Sequence, residues 1–197
     1  LSARLLQHYE TVYTLGFPLS PSELHGHESG STVGDSSERH FSRHLVYNLN
    51  DAQSMETIET DQRFDLIVFA EVIEHLYTAP ELTLYALRHV MKPGGHLVVQ
   101  TPNAAALHKR LKLLLGRHPY ERIRINNEYP GHFREYTKRD LIELASTAQL
   151  DVVGHQFKDY FGINPRFGKR VAGRVYGLLT RIMPTFARGQ TVILRRP

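Results

Sequence analysis

A chain of 197 residues with 41% hydrophobic and 22% charged side chains has an ordinary globular balance, and its length suits one domain spanning residues 1–197. The chain has no cysteine, which excludes disulfides, thiolate metal sites and cysteine nucleophiles and agrees with a reducing, cytoplasmic setting. The formal net charge of +4 hides an asymmetry: residues 1–107 carry 6 Lys/Arg against 13 Asp/Glu, and residues 108–197 carry 18 against 7.

The opening LSARLLQHYE reads as a helix and residues 11–16 as a strand. Residues 20–43 are poor in apolar side chains and rich in Ser, Gly, His and Glu, which predicts a long surface loop. Its histidines, His25, His27 and His40, and the neighbouring His44 are irregularly spaced and read as solvated. Residues 44–51, HLVYNLND, read as the next strand, with Asn48 and Asn50 as turn residues at its end. Then comes FDLIVFA at residues 64–70, an apolar run bounded by charge and too short for a core helix, which predicts a strand buried on both faces. Acidic residues at its carboxyl end stand where an open α/β sheet binds ligands. Residues 80–91 place Leu82, Leu84, Tyr85, Leu87 and Val90 near helical spacing, and Pro93-Gly94-Gly95 stops that helix before a strand at residues 96–100.

Between the first strand and helix of this unit lies EVIEHL. If Glu71 ends the strand and a helix opens directly, Glu71, Glu74 and His75 stand at i, i+3 and i+4 and share a face. Carboxylates brought together cost energy unless a cation compensates them. The plainer alternative uses one glutamate at the positive end of the helix and packs His75 as a core or hinge residue.

The basic half is dominated by HKRLKLLLGRHPYERIR, with Leu107, Leu111, Leu114 and Leu115 as an apolar stripe, and GKRVAGRVYGLLTRI, with Val171, Val175, Leu178 and Ile182 as another. Such helices are either solvated surface helices packed on their domain or contacts for an anionic membrane surface or an anionic substrate. Late strands are expected at residues 151–158 and 190–195, with residues 160–188 forming a basic helical insertion bracketed by Pro165 and Pro184. No apolar stretch approaches the roughly 20 residues needed to span a bilayer, and no secretion signal opens the chain.

EVIEHL, KPGG, TPN and GHFREYT at residues 131–137, followed by the helical KRDLIELASTAQL, together resemble the class I S-adenosylmethionine (SAM)-dependent methyltransferases over about residues 44–158. ExxEH with a distant histidine is similar to two groups, the ubiquinone-biosynthesis O-methyltransferases and the enzymes that methylate the terminal 2′-hydroxyl of small RNAs. The resemblance implies a Rossmann-like α/β sheet with helices on both faces and an antiparallel last strand. It assigns the cofactor SAM to Gly16, Phe17, Asn48, Leu49, Ala70, Glu71 and Val72, and a divalent metal (Mg, Mn or Zn) to Glu71, Glu74, His75 and His132. That metal would lower the pKa of an acceptor hydroxyl. Without it, His75 or His132 would be the catalytic general base.

The sequence departs from the pattern in two places. It has no GxGxG, so the first strand and its glycine-rich turn are expected upstream of residue 1, the alternative being a degenerate domain that binds no cofactor. Gly16 or Phe17 stands where relatives carry an acidic ribose ligand, and Asn48 stands where they carry aspartate, its amide suited to an adenine edge. The expected activity is O-methylation of a small-molecule, lipid-linked or glycan hydroxyl by a cytoplasmic protein, peripheral to the membrane if the basic helices meet lipid. A non-catalytic binding domain and an RNA 2′-O-methyltransferase are the alternatives; no separate RNA-binding module or aromatic stacking platform favours nucleic acid.

Overall fold

The structure is a computed structural model that describes residues 2–5, 7–16, 43–52, 58–124, 131–160 and 169–197, with the backbone alone at 2–3 and 169–172. Phe17, the stretch expected to be a polar loop with His25, His27 and His40, Pro165 and the side chains of Lys169, Arg170 and Val171 lie outside the described residues. The chain forms two compact units, Leu1–Asp51 and Ala52–Pro197.

In the first unit a single helical turn, α1 (Ser2–Leu5), precedes β1 (Tyr13–Gly16), which pairs in parallel with β2 (Arg43–Val46). The pairing extends by the Tyr47 amide, which donates to Gly16 O at 2.9 Å. The strand expected over residues 44–51 ends at Val46, because a 3₁₀ turn at Leu49–Asp51 takes over. Asn48 drives that turn: its Oδ1 accepts from the Asn50 amide at 3.1 Å and its Nδ2 donates to Asp51 Oδ1 at 2.9 Å.

The second unit is a four-stranded sheet in the order β3 (Phe64–Ala70), β4 (Met91–Pro102), β6 (Gly189–Arg195), β5 (Asp151–Lys158). β3 and β4 are parallel, whereas β6 runs antiparallel to both neighbours and so inserts between β4 and β5. The apolar residues that alternate along the central strands, Leu97, Val99, Val192 and Leu194, are all buried. β3 differs from expectation: Leu66, Ile67 and Val68 are half-buried, since it is the edge strand of this sheet.

The connection from β3 is helix α2 (Pro80–Val90), which starts with proline at its first position and buries Leu84, Leu87 and Val90. α2 ends one residue before the strand begins, so β4 starts at Met91 and Pro93-Gly94-Gly95 forms a bulge within it, Phe64 pairing with Met91 and Leu66 with His96. Gly94 has φ +75°, and a Cβ on Gly95 would sit 2.8 Å from Lys92 O and 2.9 Å from Phe64 O, so both positions require glycine. Two further helices, α3 (Leu107–Leu114) and α4 (Lys138–Thr147), follow β4. α4 opens on a reciprocal cap between Thr137 and Asp140 and packs against α2, where Tyr85 Oη donates to Thr147 O at 2.7 Å. Between β5 and β6 lie α5 (Lys169–Ile182) and a 3₁₀ turn at Pro184–Phe186.

Candidate active site

At the carboxyl end of β3 the ladder continues for one residue, the Glu71 amide donating to Gln100 O at 2.9 Å, and the chain then turns with Glu71 at φ +55°. A non-glycine residue in this region is uncommon and belongs to a tightly determined turn. The helix expected to open there is a 3₁₀ turn at Ile73–His75, so the i, i+3, i+4 face of an α-helix does not describe this segment. The tighter turn sends Ile73 and Glu74 inward together, Ile73 being 1% and Glu74 0% exposed.

Glu74 is the centre of the site. Its Oε2 accepts from the Thr101 hydroxyl at 2.9 Å, and its Oε1 is buried without a hydrogen-bond partner. Its backbone carbonyl accepts from the Phe133 amide at 2.8 Å, which ties the GHFREYT segment to the end of β3. His132 is thereby brought to His75, the two rings meeting edge to face with centroids 4.9 Å apart. One ligating atom each from Glu74, His75 and His132 lies within 4.8 Å of the other two. Glu71 is outside that group: its Oε1 accepts from Gln100 Nε2 at 3.2 Å.

Both imidazoles are oriented from behind. His75 Nδ1 donates to Gly131 O at 3.0 Å, and His132 Nδ1 donates to Glu135 Oε1 at 3.1 Å, leaving each Nε2 for a ligand. Burial pushes the Glu74 carboxyl up to about 7, with a smaller push from the Glu71 charge, against the Thr101 hydrogen bond. Burial, then the facing His75, hold His132 below its ordinary value and so neutral near pH 7. Burial, then the neighbouring Lys112 charge, pulls Lys109 down to about 8, against a smaller opposing pull from Glu74.

The sequence gives no sign of three supporting residues. Asn103 of TPN is 1% exposed and donates from Nδ2 to Thr185 O at 2.9 Å and Ala187 O at 2.8 Å, tying β4 to the turn before β6. Lys109 belongs to the basic amphipathic segment, read as solvated or as facing an anionic partner, and it turns inward to Glu135 and to Asn103 O. Glu135 sat inside the GHFREYT motif without a role of its own. Beside His132 a cavity of 260 Å³ is lined by His118, Tyr120, Glu121, Ile123, Phe133, Arg134 and Glu135. Of the residues expected to hold the cofactor, Gly16 ends β1, Asn48 and Leu49 lie in the turn after β2, and Ala70, Glu71 and Val72 form the end of β3.

A profile of the methyltransferase domain matches residues 8–155. The chain belongs to the methyltransferase domain family. By family and fold it is a class I SAM-dependent methyltransferase, with the Rossmann-like α/β architecture that the motifs implied. A chain from the complex of the Haloferax volcanii Trm112 methyltransferase activator is 13% identical, with TM-score 0.60 over 98% of this chain and 76% of that one. A SAM-dependent methyltransferase from Methanosarcina mazei is 14% identical, with TM-score 0.56 over 98% and 86%. The N-methyltransferase NodS from Bradyrhizobium japonicum, solved with S-adenosyl-L-homocysteine, is 14% identical, with TM-score 0.50 over 100% and 71%. At these identities the likeness is one of fold. No curated protein matches the chain.

Proposed function

We propose that the methyltransferase acts on oxygen, transferring the methyl group of SAM to a hydroxyl of a small, lipid-linked or glycan acceptor, with a divalent cation held by Glu74, His75 and His132. The observation that carries this reading is the buried Glu74 carboxyl, whose Oε1 has no hydrogen-bond partner and one of whose oxygens lies within 4.8 Å of a ring nitrogen of both His75 and His132. A buried carboxylate oxygen without a donor is costly, and a cation is the partner that this donor set suits. One carboxylate and two nitrogens fit Zn²⁺ or Mn²⁺ better than an all-oxygen ion. The cation, when bound, would lower the pKa of the acceptor hydroxyl.

The chain's own residues hold, aim and exclude. Thr101 fixes one oxygen of Glu74 and leaves the other without a hydrogen-bond partner, and Gly131 and Glu135 fix the two rings. Ala70, Glu71 and Val72 stand at the carboxyl end of β3, where an open α/β sheet receives a nucleotide-like cofactor, so they are the residues of this unit suited to SAM. SAM supplies a methyl already activated on sulfur, so the protein's work is alignment and removal of water. The 260 Å³ cavity beside His132 is near the lower end of ligand pockets and suits one ring-sized group, the reacting end of an acceptor.

Calorimetry and a methyl-transfer assay test this together. SAM should bind in the presence of a chelator, chelation should abolish transfer, and Mn²⁺ or Zn²⁺ should restore it. Full activity in chelator sinks the metal and leaves His132, kept neutral by burial, as the general base. Absence of SAM binding by the full-length protein would move it to the non-catalytic class.

We further propose that the basic helices meet an anionic lipid surface. The apolar stripes are not packed on the domain: Leu111, Leu113, Leu114 and Leu115 on and after α3, and Val175, Leu178 and Ile182 on α5, are exposed, Leu114 by 81%. Arg110, Lys112, Arg174 and Arg181 stand among them. Apolar side chains in water ringed by arginine and lysine complement an interface that is both apolar and negatively charged.

A further inference from the structure

The site described above uses His132, and the residues behind it explain why that ring can be used. Lys109 and Glu135 form an ion pair almost out of water, their side chains 7% and 8% exposed. Lys109 also donates to Asn103 O at 3.0 Å, and its ammonium lies 5.6 Å from the centre of the Tyr120 ring. With one carboxylate oxygen held by Lys109, Glu135 turns the other to His132 Nδ1 at 3.1 Å. The chain of contacts therefore runs from the end of β4 through α3 to the ring.

A buried ion pair is poor value as a stabiliser, since two well-packed apolar side chains in its place are often as stable or more so. Here the alternative was at hand. On α3 the lysine points inward while Leu111, Leu113 and Leu114 stand exposed, the reverse of what burial of apolar surface favours. What the pair does that leucine could not do is present a fixed acceptor to one nitrogen of His132. A carboxylate acceptor there keeps the proton on Nδ1 and leaves the Nε2 lone pair available to a ligand, the arrangement common behind metal-binding imidazoles.

We propose that Lys109 and Glu135 are a positioning pair for His132: Lys109 holds Glu135, and Glu135 fixes the tautomer and orientation of the ring. The proposal rests on the cation reading only for the use of the lone pair, not for the orientation. Neither residue touches substrate, so both act through His132.

Long-range ¹H–¹⁵N spectra of the imidazole nitrogens at pH 8, beside Mn²⁺ titration by calorimetry, test it on the intact protein. Wild-type His132 should carry its proton on Nδ1. Glu135→Ala should move it to Nε2 and weaken Mn²⁺ binding by about 10- to 100-fold, the usual effect of losing such a partner. Glu135→Gln, whose carbonyl can still accept from Nδ1, should keep the tautomer and recover part of the affinity. Because Glu135→Ala leaves Lys109 buried and unpaired, the double variant Lys109→Met/Glu135→Leu is measured as well; it should stay folded by thermal melting yet lose the Nδ1–H tautomer. Retention of that tautomer in either the alanine or the folded double variant overturns the proposal. Wild-type protein that shows the Nδ1–H form but binds no Mn²⁺ overturns the cation reading alone, and the tautomers of the variants still decide the positioning role.

Discussion

Glu74 sets a pH dependence that can be worked out from burial alone. Its carboxyl is raised from 4.5 to about 7 in the folded protein. Below 4.5 both the folded and unfolded states are protonated there, and its contribution to stability is fully present. Between 4.5 and about 7 the folded state keeps a proton that the unfolded state has lost, so metal-free stability falls as pH rises. The loss is about 3 kcal/mol once the pH passes the folded value, or roughly 10 °C in melting temperature for a chain of this size. His132, held below its ordinary pKa, works in the opposite sense, because the unfolded ring binds the proton more readily. Comparing wild type with Glu74→Gln therefore isolates the carboxyl. Metal-free Glu74→Gln should be the more stable protein at pH 8 and close to wild type at pH 4.5, read by thermal melts at matched ionic strength. Equal pH profiles for the two proteins would mean that Glu74 ionises freely and that its buried oxygen has a partner.

Among the elements, Asn103 shows how the site is held. Besides its two side-chain donations, its Oδ1 accepts from the Ala105 amide at 3.0 Å, and its backbone amide donates to Arg188 O at 2.7 Å. Asn103→Ala removes three side-chain bonds, one of them to the carbonyl of the buried Ala187, so urea melts should show a loss of about 2–3 kcal/mol. A loss under about 0.5 kcal/mol would mean that the turn at Pro184–Phe186 is held by other contacts. The TPN motif was legible from sequence; this role was not, because the partners lie more than 80 residues away. The same contrast runs through the fold. α2, β5 and β6 were readable because apolar period, proline and glycine are local signals, and Thr137 with Asp140 is a local cap. The end of β2, the bulge in β4 and the 3₁₀ turn at Ile73–His75 were misread because pairing and burial decide them. Glu74, His75 and His132 were all singled out from residue type and motif. The inward turn of Lys109 was not legible, because a basic residue on an amphipathic helix faces water unless a buried carboxylate draws it in, and Glu135 is 26 residues away.

On the scale of the whole molecule, charge and exposed apolar surface coincide. Residues 108–197 hold 18 of the 24 Lys/Arg, and the three most exposed large apolar side chains among the described residues, Leu114, Leu115 and Ile182, lie on the same stretch of chain. No helix among the described residues is long and apolar enough to cross a membrane, and the lipid contact proposed for the basic helices is a lateral one. α5 is anchored for such a contact: Tyr176 Oη donates to Asp159 Oδ1 at 3.0 Å, and Asp159 Oδ1 also accepts the Arg188 amide at 2.8 Å, which leaves Val175 and Leu178 outward. Two terms then act together, about 1 kcal/mol per basic residue near an anionic surface and about 1.5–3 kcal/mol per leucine fully buried. Replacing Lys169, Arg170 and Arg174 with glutamine should weaken binding to phosphatidylglycerol vesicles by about 100-fold at low salt, with the difference shrinking as salt rises. Leu113→Ser/Leu114→Ser should weaken binding at every salt concentration, because the apolar term is not screened. Sedimentation with vesicles of phosphatidylglycerol and of phosphatidylcholine alone separates the terms. Wild-type protein that binds neither vesicle and sediments as a dimer would give the leucines to a second copy of the chain instead.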